Sequence, residues 1–441
     1  DYCTFSTAWV RTAGYEKEEA AGKDLFQGTI GQAPRGWPVL GAVVNNFIRG
    51  GQAVKDSCNT AVTFHAGKIL ALMEQCRPSE ISVSQNGDIR TVKALSDLEG
   101  AIPFDPLTGG ALSAHSRIDA ATGEKIAVSY ATGGPGQGPP TARHDVWSAD
   151  GSLAHSATVA LPAPIMIHDL AITQSRSILF DLPLTVRIEK AFLDRFLVEY
   201  EKDTPARLGL LPRYGTPDQV QWFDVQAGVV LHSINAYDRD DGFVVVQGMR
   251  AVPASPGAYI ITFTPSFPYE WILDPRSGKC VQERYLSETP AEFPSMNPYV
   301  HGTRGKFVYA LSLSSAGGPI YAYGSPQESP RFDSLVKFDL ETGAVASKYT
   351  MPPKRLLVAE PMFVPKIGKG NPATGGKEDD GYILVMVSDI EHDKMKVSKM
   401  QVFDASDLSM GPVSEVDLPE LIPFGLHSEW VPFESLGVPS N

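Results

Sequence analysis

The 441-residue chain is 43% hydrophobic and 20% charged, ordinary values for a globular protein, which excludes disorder as its general state. A formal net charge of −13 excludes the basic field that nucleic-acid binding requires, and no apolar run reaches the ~18 residues that span a membrane. Four cysteines at 3, 58, 76 and 280, with no CxxC pair, point to a reducing compartment and away from structural zinc or a disulfide scaffold; an intracellular location is expected, with plastid and cytoplasm both left open.

The N-terminus, DYCTFSTAWVRTAGYEKEEAAGK, lacks a basic-then-apolar leader pattern. Further on, glycine and proline divide the chain into short β-rich runs: AVTFHAGKILALM (61–73), KIAVSYA (125–131), SILFDLPLTV (177–186), GFVVVQGM (242–249), AYIITFTP (258–265), KFVYALSL (306–313) and GYILVMVSD (381–389). Such runs between turn residues predict strands in hairpins or meanders. One turn recurs, as Asp105-Pro-Leu-Thr-Gly, Asp119-Ala-Ala-Thr-Gly, Asp274-Pro-Arg-Ser-Gly and Asp339-Leu-Glu-Thr-Gly. An Asp or Thr side chain can bond the turn backbone there, while glycine accepts the positive φ that closes it. The turns are irregularly spaced, so no fixed repeat is defined, yet many strands with tight turns favour a propeller or large barrel. The chain is expected to form one domain, 1–441. One segment breaks the pattern. In VRIEKAFLDRFLVEYEK (186–202), Ile188, Phe192, Leu193, Phe196, Leu197 and Tyr200 recur at helical spacing and predict a helix.

Nine histidines are distributed along the chain, and one stretch, APIMIHDLAIT (163–173), sets His168 inside an apolar run with Asp169 directly behind it. An imidazole in that setting needs a partner or a purpose. His115 in SAHSRID, His232 in VLHSINAYDRDDG and His427 in PFGLHSEW share the setting: a small or apolar residue before, a turn or polar group after. Each is predicted near a strand end, where blades of a propeller converge. His144, His155 and His392 lie in polar sequence and are expected at the surface, whereas His65 in FHAGK is expected to be structural. DRDDG (238–242) lacks the glutamate at the twelfth position of a calcium loop and reads as a strand turn. No GxSxG, P-loop, GxGxxG or HExxH motif offers a competing chemistry.

The ordered set NTAVTFHAGKILALMEQCRP, AHSRIDAATGE, MIHDLAIT, LHSINAYDRDDG, EPMFVP with EDDGYIL, and PFGLH resembles the carotenoid cleavage oxygenase family, from about Val10 to His427. The resemblance implies an all-β, seven-bladed β-propeller with a helical cap over a metal-bearing face. It implies one non-haem Fe(II) per chain held by His115, His168, His232 and His427, with dioxygen as co-substrate. Glu74, Glu292 and Glu360 are implied as partners of three of the four imidazoles. Neutral imidazoles suit Fe(II), and metal-bound histidines need their other N–H held, usually by a carboxylate.

The implied activity is oxidative cleavage of a C=C bond in a carotenoid or apocarotenoid to two carbonyl products. Phe64, Lys68, Leu231 and Leu426 are the expected substrate contacts. Ser116 follows the first histidine where proline is common in the family, and Leu231 and Leu426 stand where many relatives carry phenylalanine, so an aliphatic, wider tunnel wall is expected. The chain also begins close to the VRT motif, so part of the closing blade is expected to be missing. Lys68 in HAGK fits a rival reading, a stilbenoid or phenylpropanoid cleaver; a retinoid-type isomerase shares all four histidines. A non-catalytic binding propeller is disfavoured by four histidines with three matched glutamates. A nearly insoluble polyene implies uptake from a membrane surface, with 187–202 as the contact.

Overall fold

The computed structural model describes residues 4–28, 36–103, 111–134, 138–253, 264–313, 320–321, 328–329, 332–391 and 394–436. Among the described residues, six antiparallel sheets of four or five strands follow one another, spanning residues 61–93, 116–160, 170–224, 229–285, 291–350 and 355–417, and two further sheets have two strands each. The strands of the six pair as meanders, except that in the last sheet Arg355–Leu357 and Met362–Pro365 both pair with Gly381–Glu391, and the inner strands Ser116–Ile118, Leu170–Ile172, Val229–Asp238 and Ala291–Ser295 contact each other in turn. This is the all-β propeller arrangement. The burial pattern follows the radial position. Val244–Ala251, second in its sheet, is buried on both faces, while the outer strand Lys279–Tyr285 is mostly exposed. Apolar faces of neighbouring sheets close on one another: Phe180, Leu208 and Phe223 of the third sheet pack with Val246, Trp271 and Leu273 of the fourth. Full burial of such side chains contributes ~1.5–3 kcal/mol each.

The recurrent turn behaves as its chemistry requires. At Asp339–Gly343 the carboxylate accepts the amides of Glu341 and Thr342 at 2.9 and 3.0 Å, and Gly343 has φ 75°. A Cβ on Gly343 would lie 2.0 Å from the carbonyl oxygen of Leu286, so glycine is required there twice over. The Asp105 turn and most of the AYIITFTP run lie outside the described residues.

Two expectations are corrected. Among the described residues there are six blades, not seven, because residues 4–60 supply two helices and irregular chain, and 418–436 pair in no ladder. The helix expected at 186–202 is a hairpin instead: Leu184–Val186 pairs with Val198–Tyr200 around a single 3-10 segment, Ile188–Leu193. Asp194, at φ 54°, ends that segment, and Val186, Val198 and Tyr200 turn inward while Ile188, Phe192 and Leu193 stay exposed. The helical cap is therefore not formed from this segment. Among the described residues the α-helices are α1 (Ala13–Ala21) and α2 (Trp37–Gly50), and no described helix is long and apolar enough to cross a membrane.

Candidate metal centre

Each of the six sheets brings one polar group to the same place. Glu74 follows the second strand of the first sheet; His115 directly precedes Ser116–Ile118, and His168 lies two residues before Leu170–Ile172. His232 lies within Val229–Asp238, where successive shifts of register between Val230, Ser233 and Asn235 bulge the strand; such a bulge re-aims the side chain it carries. Glu292 sits at a similar shift in Ala291–Ser295. Glu360 occupies the break between Arg355–Leu357 and Met362–Pro365, both of which pair with Gly381–Glu391. The chain then returns past that break. Gly425 N–H donates to the Val358 carbonyl at 2.8 Å, Glu360 N–H to Leu426 at 3.2 Å, and His427 N–H to Thr60, at the entrance of the first sheet, at 3.2 Å.

One nitrogen from each of His115, His168, His232 and His427 lies within 4.8 Å of all the others. The Nε2 atoms of His115 and His168 are 3.0 Å apart. Three rings are held from behind. Nδ1 of His168 donates to Glu74 Oε2, Nδ1 of His232 to Glu292 Oε2 at 2.5 Å, and Nδ1 of His427 to Glu360 Oε2 at 2.7 Å. With the proton on Nδ1, the lone pair of each Nε2 faces the shared centre. The carboxylates are fixed in turn. Tyr130 O–H donates to Glu74 Oε1 at 2.6 Å, Ser266 O–H to Glu292 Oε1 at 3.2 Å, and the Ser428 amide to Glu360 Oε1 at 2.5 Å. His115 alone of the four carries no carboxylate on its ring among the described residues.

The donor set fits a soft-to-borderline divalent ion. His232 Nε2 is buried with no hydrogen-bond partner among the described residues, an arrangement that costs free energy unless something binds there. Burial, with the other three imidazoles, holds His115 well below the ordinary histidine range. Burial also lowers His427, against the opposing pull of Glu360. At His168 burial is outweighed by Glu74 and nearby acids, and its pKa is raised. Phe293 closes one side, its ring centroid 5.1 Å from that of His232 and 5.5 Å from that of His427. It does so at φ 56°, an uncommon conformation for a bulky residue, with its amide bound to Glu292 Oε2 at 2.7 Å.

All four histidines and all three glutamates singled out in the sequence are thus brought together. Of the expected substrate contacts, Leu231 and Leu426 directly precede His232 and His427, whereas Phe64 and Lys68 lie in the first hairpin. Lys68 sits beside the hairpin tip, paired across from His65 and ion-paired with exposed Glu99 at 3.0 Å; Glu74 lies past the other end of the same strand. Phe64 lies opposite Ile69 in that hairpin. Leu231 packs with Met166, Leu184 and Tyr200, and Leu426 is exposed. His65 is structural, its Nε2 3.0 Å from the Gly123 carbonyl. His144 is corrected from surface to core: its strand is enclosed by neighbouring sheets, Nε2 meets Ser177 Oγ at 2.8 Å, and burial pushes its pKa down to about 3. His155 is half-buried, 3.0 Å from the Gly215 carbonyl, and His392 lies outside the described residues. Tyr130 and Phe293 went unread in the sequence, because nothing local in KIAVSYA or AEFPSMNP marks their roles.

The model of the retinal pigment epithelial membrane protein family matches residues 1–432. The chain belongs to that family. Among relatives in the family's range, the carotenoid 9,10(9',10')-cleavage dioxygenase 1 of Phaseolus vulgaris is 28% identical over 459 residues, covering 98% of this chain and 78% of its own. The apocarotenoid-15,15'-oxygenase of Synechocystis is 27% identical over 448 residues, covering 97% and 82%. In three dimensions, cobalt-substituted Synechocystis apocarotenoid oxygenase superposes with a TM-score of 0.75 at 25% identity, covering 96% of this chain and 83% of that one. Lignostilbene dioxygenase of Pseudomonas brassicacearum reaches 0.77 at 24% identity with the same coverages, a likeness that speaks to the fold. With relatives and neighbours named as dioxygenases or oxygenases, this family member is an oxygenase enzyme.

Proposed function

We propose that the chain is a non-haem Fe(II) dioxygenase that cleaves one C=C bond of a carotenoid or apocarotenoid, placing one oxygen atom of O2 on each of two carbonyl products. The observation that carries this is the four-imidazole cluster with three glutamate-bound Nδ1 atoms, in a family whose relatives here are named carotenoid cleavage dioxygenases. Fe(II), held by Nε2 of His115, His168, His232 and His427, would supply the activation of dioxygen. The protein's own part is to keep each ligand in one tautomer, hold the Nδ1 protons on Glu74, Glu292 and Glu360, and exclude water beside Phe293. Aerobic incubation of the Fe(II)-loaded enzyme with a panel of carotenoids, apocarotenals and hydroxystilbenes, with product identification, tests the reading. Paired carbonyl products from a polyene are expected; cleavage confined to hydroxystilbenes would replace it.

The stilbenoid alternative rests on Lys68, whose cation would have to stand beside a substrate phenol. Its ion pair with exposed Glu99, which raises the lysine pKa, accounts for that charge on the surface. An exposed pair of this kind contributes ~0–1 kcal/mol. Lys68→Met is therefore expected to change polyene turnover by no more than about fivefold. Collapse of activity with metal content intact would favour the stilbenoid reading.

Membrane uptake is supported by exposed apolar residues of the expected 187–202 segment, Ile188, Phe192 and Leu193, together with a neighbouring helix. Trp37, Phe47 and Ile48 of α2 are exposed, and Trp37 packs edge-on against Phe192 of the neighbouring hairpin, with centroids 5.1 Å apart. Val39 and Ala42 face inward, so this helix is apolar on both sides. Partition of the metal-loaded enzyme to neutral phosphatidylcholine vesicles should fall at least about tenfold in an Ile48→Ser/Phe192→Ser double variant, at ~1.5–3 kcal/mol per buried side chain. Equal flotation of wild type and variant would move the contact elsewhere.

A further inference from the structure

Three of the four histidine-bearing segments meet at one carboxylate that hydrogen-bonds to none of the four rings. Asp169 follows His168, and its side chain is buried. Its Oδ2 accepts Arg117 Nη2 at 2.6 Å, the Ser233 amide at 2.8 Å and the Ser233 hydroxyl at 2.9 Å; its Oδ1 accepts the Leu170 amide at 2.7 Å. Arg117 stands two residues after His115, and Ser233 directly follows His232. Arg117 Nη2 also reaches the Ser233 hydroxyl at 2.9 Å, and that hydroxyl lies 2.7 Å from the Leu170 carbonyl. The second, third and fourth sheets are therefore cross-linked beside their histidines by a compact buried network with its charges matched.

We propose that Asp169 is a positioning residue for the metal site: it fixes the backbones of His115, His168 and His232 relative to one another, so that their Nε2 atoms converge before an ion binds. A fully satisfied buried network has one low-energy arrangement, and losing a member leaves polar groups to search for others. His115 depends on it most. Its ring meets no carboxylate among the described residues, and the Arg117–Asp169 pair ties its strand to the neighbouring ligands. Ligand orientation held from outside the coordination shell is worth about 10–100-fold in metal affinity.

This inference rests on the proposed metal site, and the test separates the two. Co(II) binding to the full chain is measured by titration, by the Co(II) ligand-field spectrum and by the rise in Tm on loading. Wild type is expected to bind; failure of wild type to bind would remove the metal reading itself, and this inference with it. With wild type binding, Asp169→Asn is expected to weaken Co(II) about 10–100-fold and to alter the spectrum. Ser233→Ala, which keeps the Arg117–Asp169 pair and so guards against a folding defect, is expected at the low end, about tenfold, with Ser233→Thr restoring affinity. The Tm increment on loading should shrink in Asp169→Asn and Ser233→Ala, since that increment tracks affinity. Wild-type affinity and spectrum in both variants would overturn the proposal. So would a fall in apoprotein Tm with the increment unchanged, because a merely structural role lowers both states equally.

Discussion

Replacing His168 or His232 by alanine is expected to abolish metal retention and alkene cleavage together. Each ring supplies one of four convergent nitrogens, and His232 Nε2 has no hydrogen-bond partner among the described residues. Removal also strips a glutamate of the N–H it accepts, Glu74 in one case and Glu292 in the other, leaving a buried carboxylate under-bonded at ~1–3 kcal/mol. The loss of metal affinity should exceed the ~10–100-fold that accompanies loss of an outer partner. Iron per chain after anaerobic Fe(II) loading, product formation and far-UV circular dichroism check this in one preparation. Full iron content and activity in both variants would show that these rings are not ligands.

The glutamates should give a graded result. Glu74→Gln and Glu360→Gln are each expected to cost about 10–100-fold in iron affinity or activity with the fold retained. Their surroundings predict the order. At Glu74 the second oxygen faces the Tyr130 hydroxyl, which can turn to accept from an amide. At Glu360 the second oxygen faces the Ser428 backbone N–H, which can only donate, so a glutamine amide there sets donor against donor. Glu360→Gln should accordingly be the more damaging of the two. Iron stoichiometry and turnover measured side by side decide it, and wild-type values in both variants would remove these residues from the site.

What could be read in the sequence was local. Short apolar runs between Asp…Gly turns announced meander strands, and the apolar-histidine-polar setting singled out His115, His168, His232 and His427 before any pairing was known. The glutamates carry no such local mark; they were placed by the order of family words around them. The hairpin at 184–200 reads as a helix in sequence because its apolar residues recur at helical spacing, whereas its strands are set by pairing Leu184 with Tyr200, which local periodicity does not register. His144 differs from its sequence expectation for a related reason: its polar neighbours suggest solvent, but its strand is enclosed by the next sheet through Ser177. Tyr130, Phe293 and Asp169 act on partners from other sheets, and only the assembled propeller reveals them.

The returning C-terminal segment makes the site a clasp on a circle. His427 is anchored to Glu360 of the last sheet through its ring and to Thr60, at the threshold of the first, through its amide. Beyond it, the Gln85 side chain donates to the Leu436 carbonyl across 351 residues of chain. Any ion shared by His427 and the three rings from the second, third and fourth sheets would therefore fasten the seam where the ring meets its own beginning. Binding free energy spent there acts against opening of the whole circle, at ~2.7 kcal/mol for an ion present at 100 times its Kd. The same four nitrogens would serve as catalyst holder and as buckle, and a protein stripped of its metal would part first along that join.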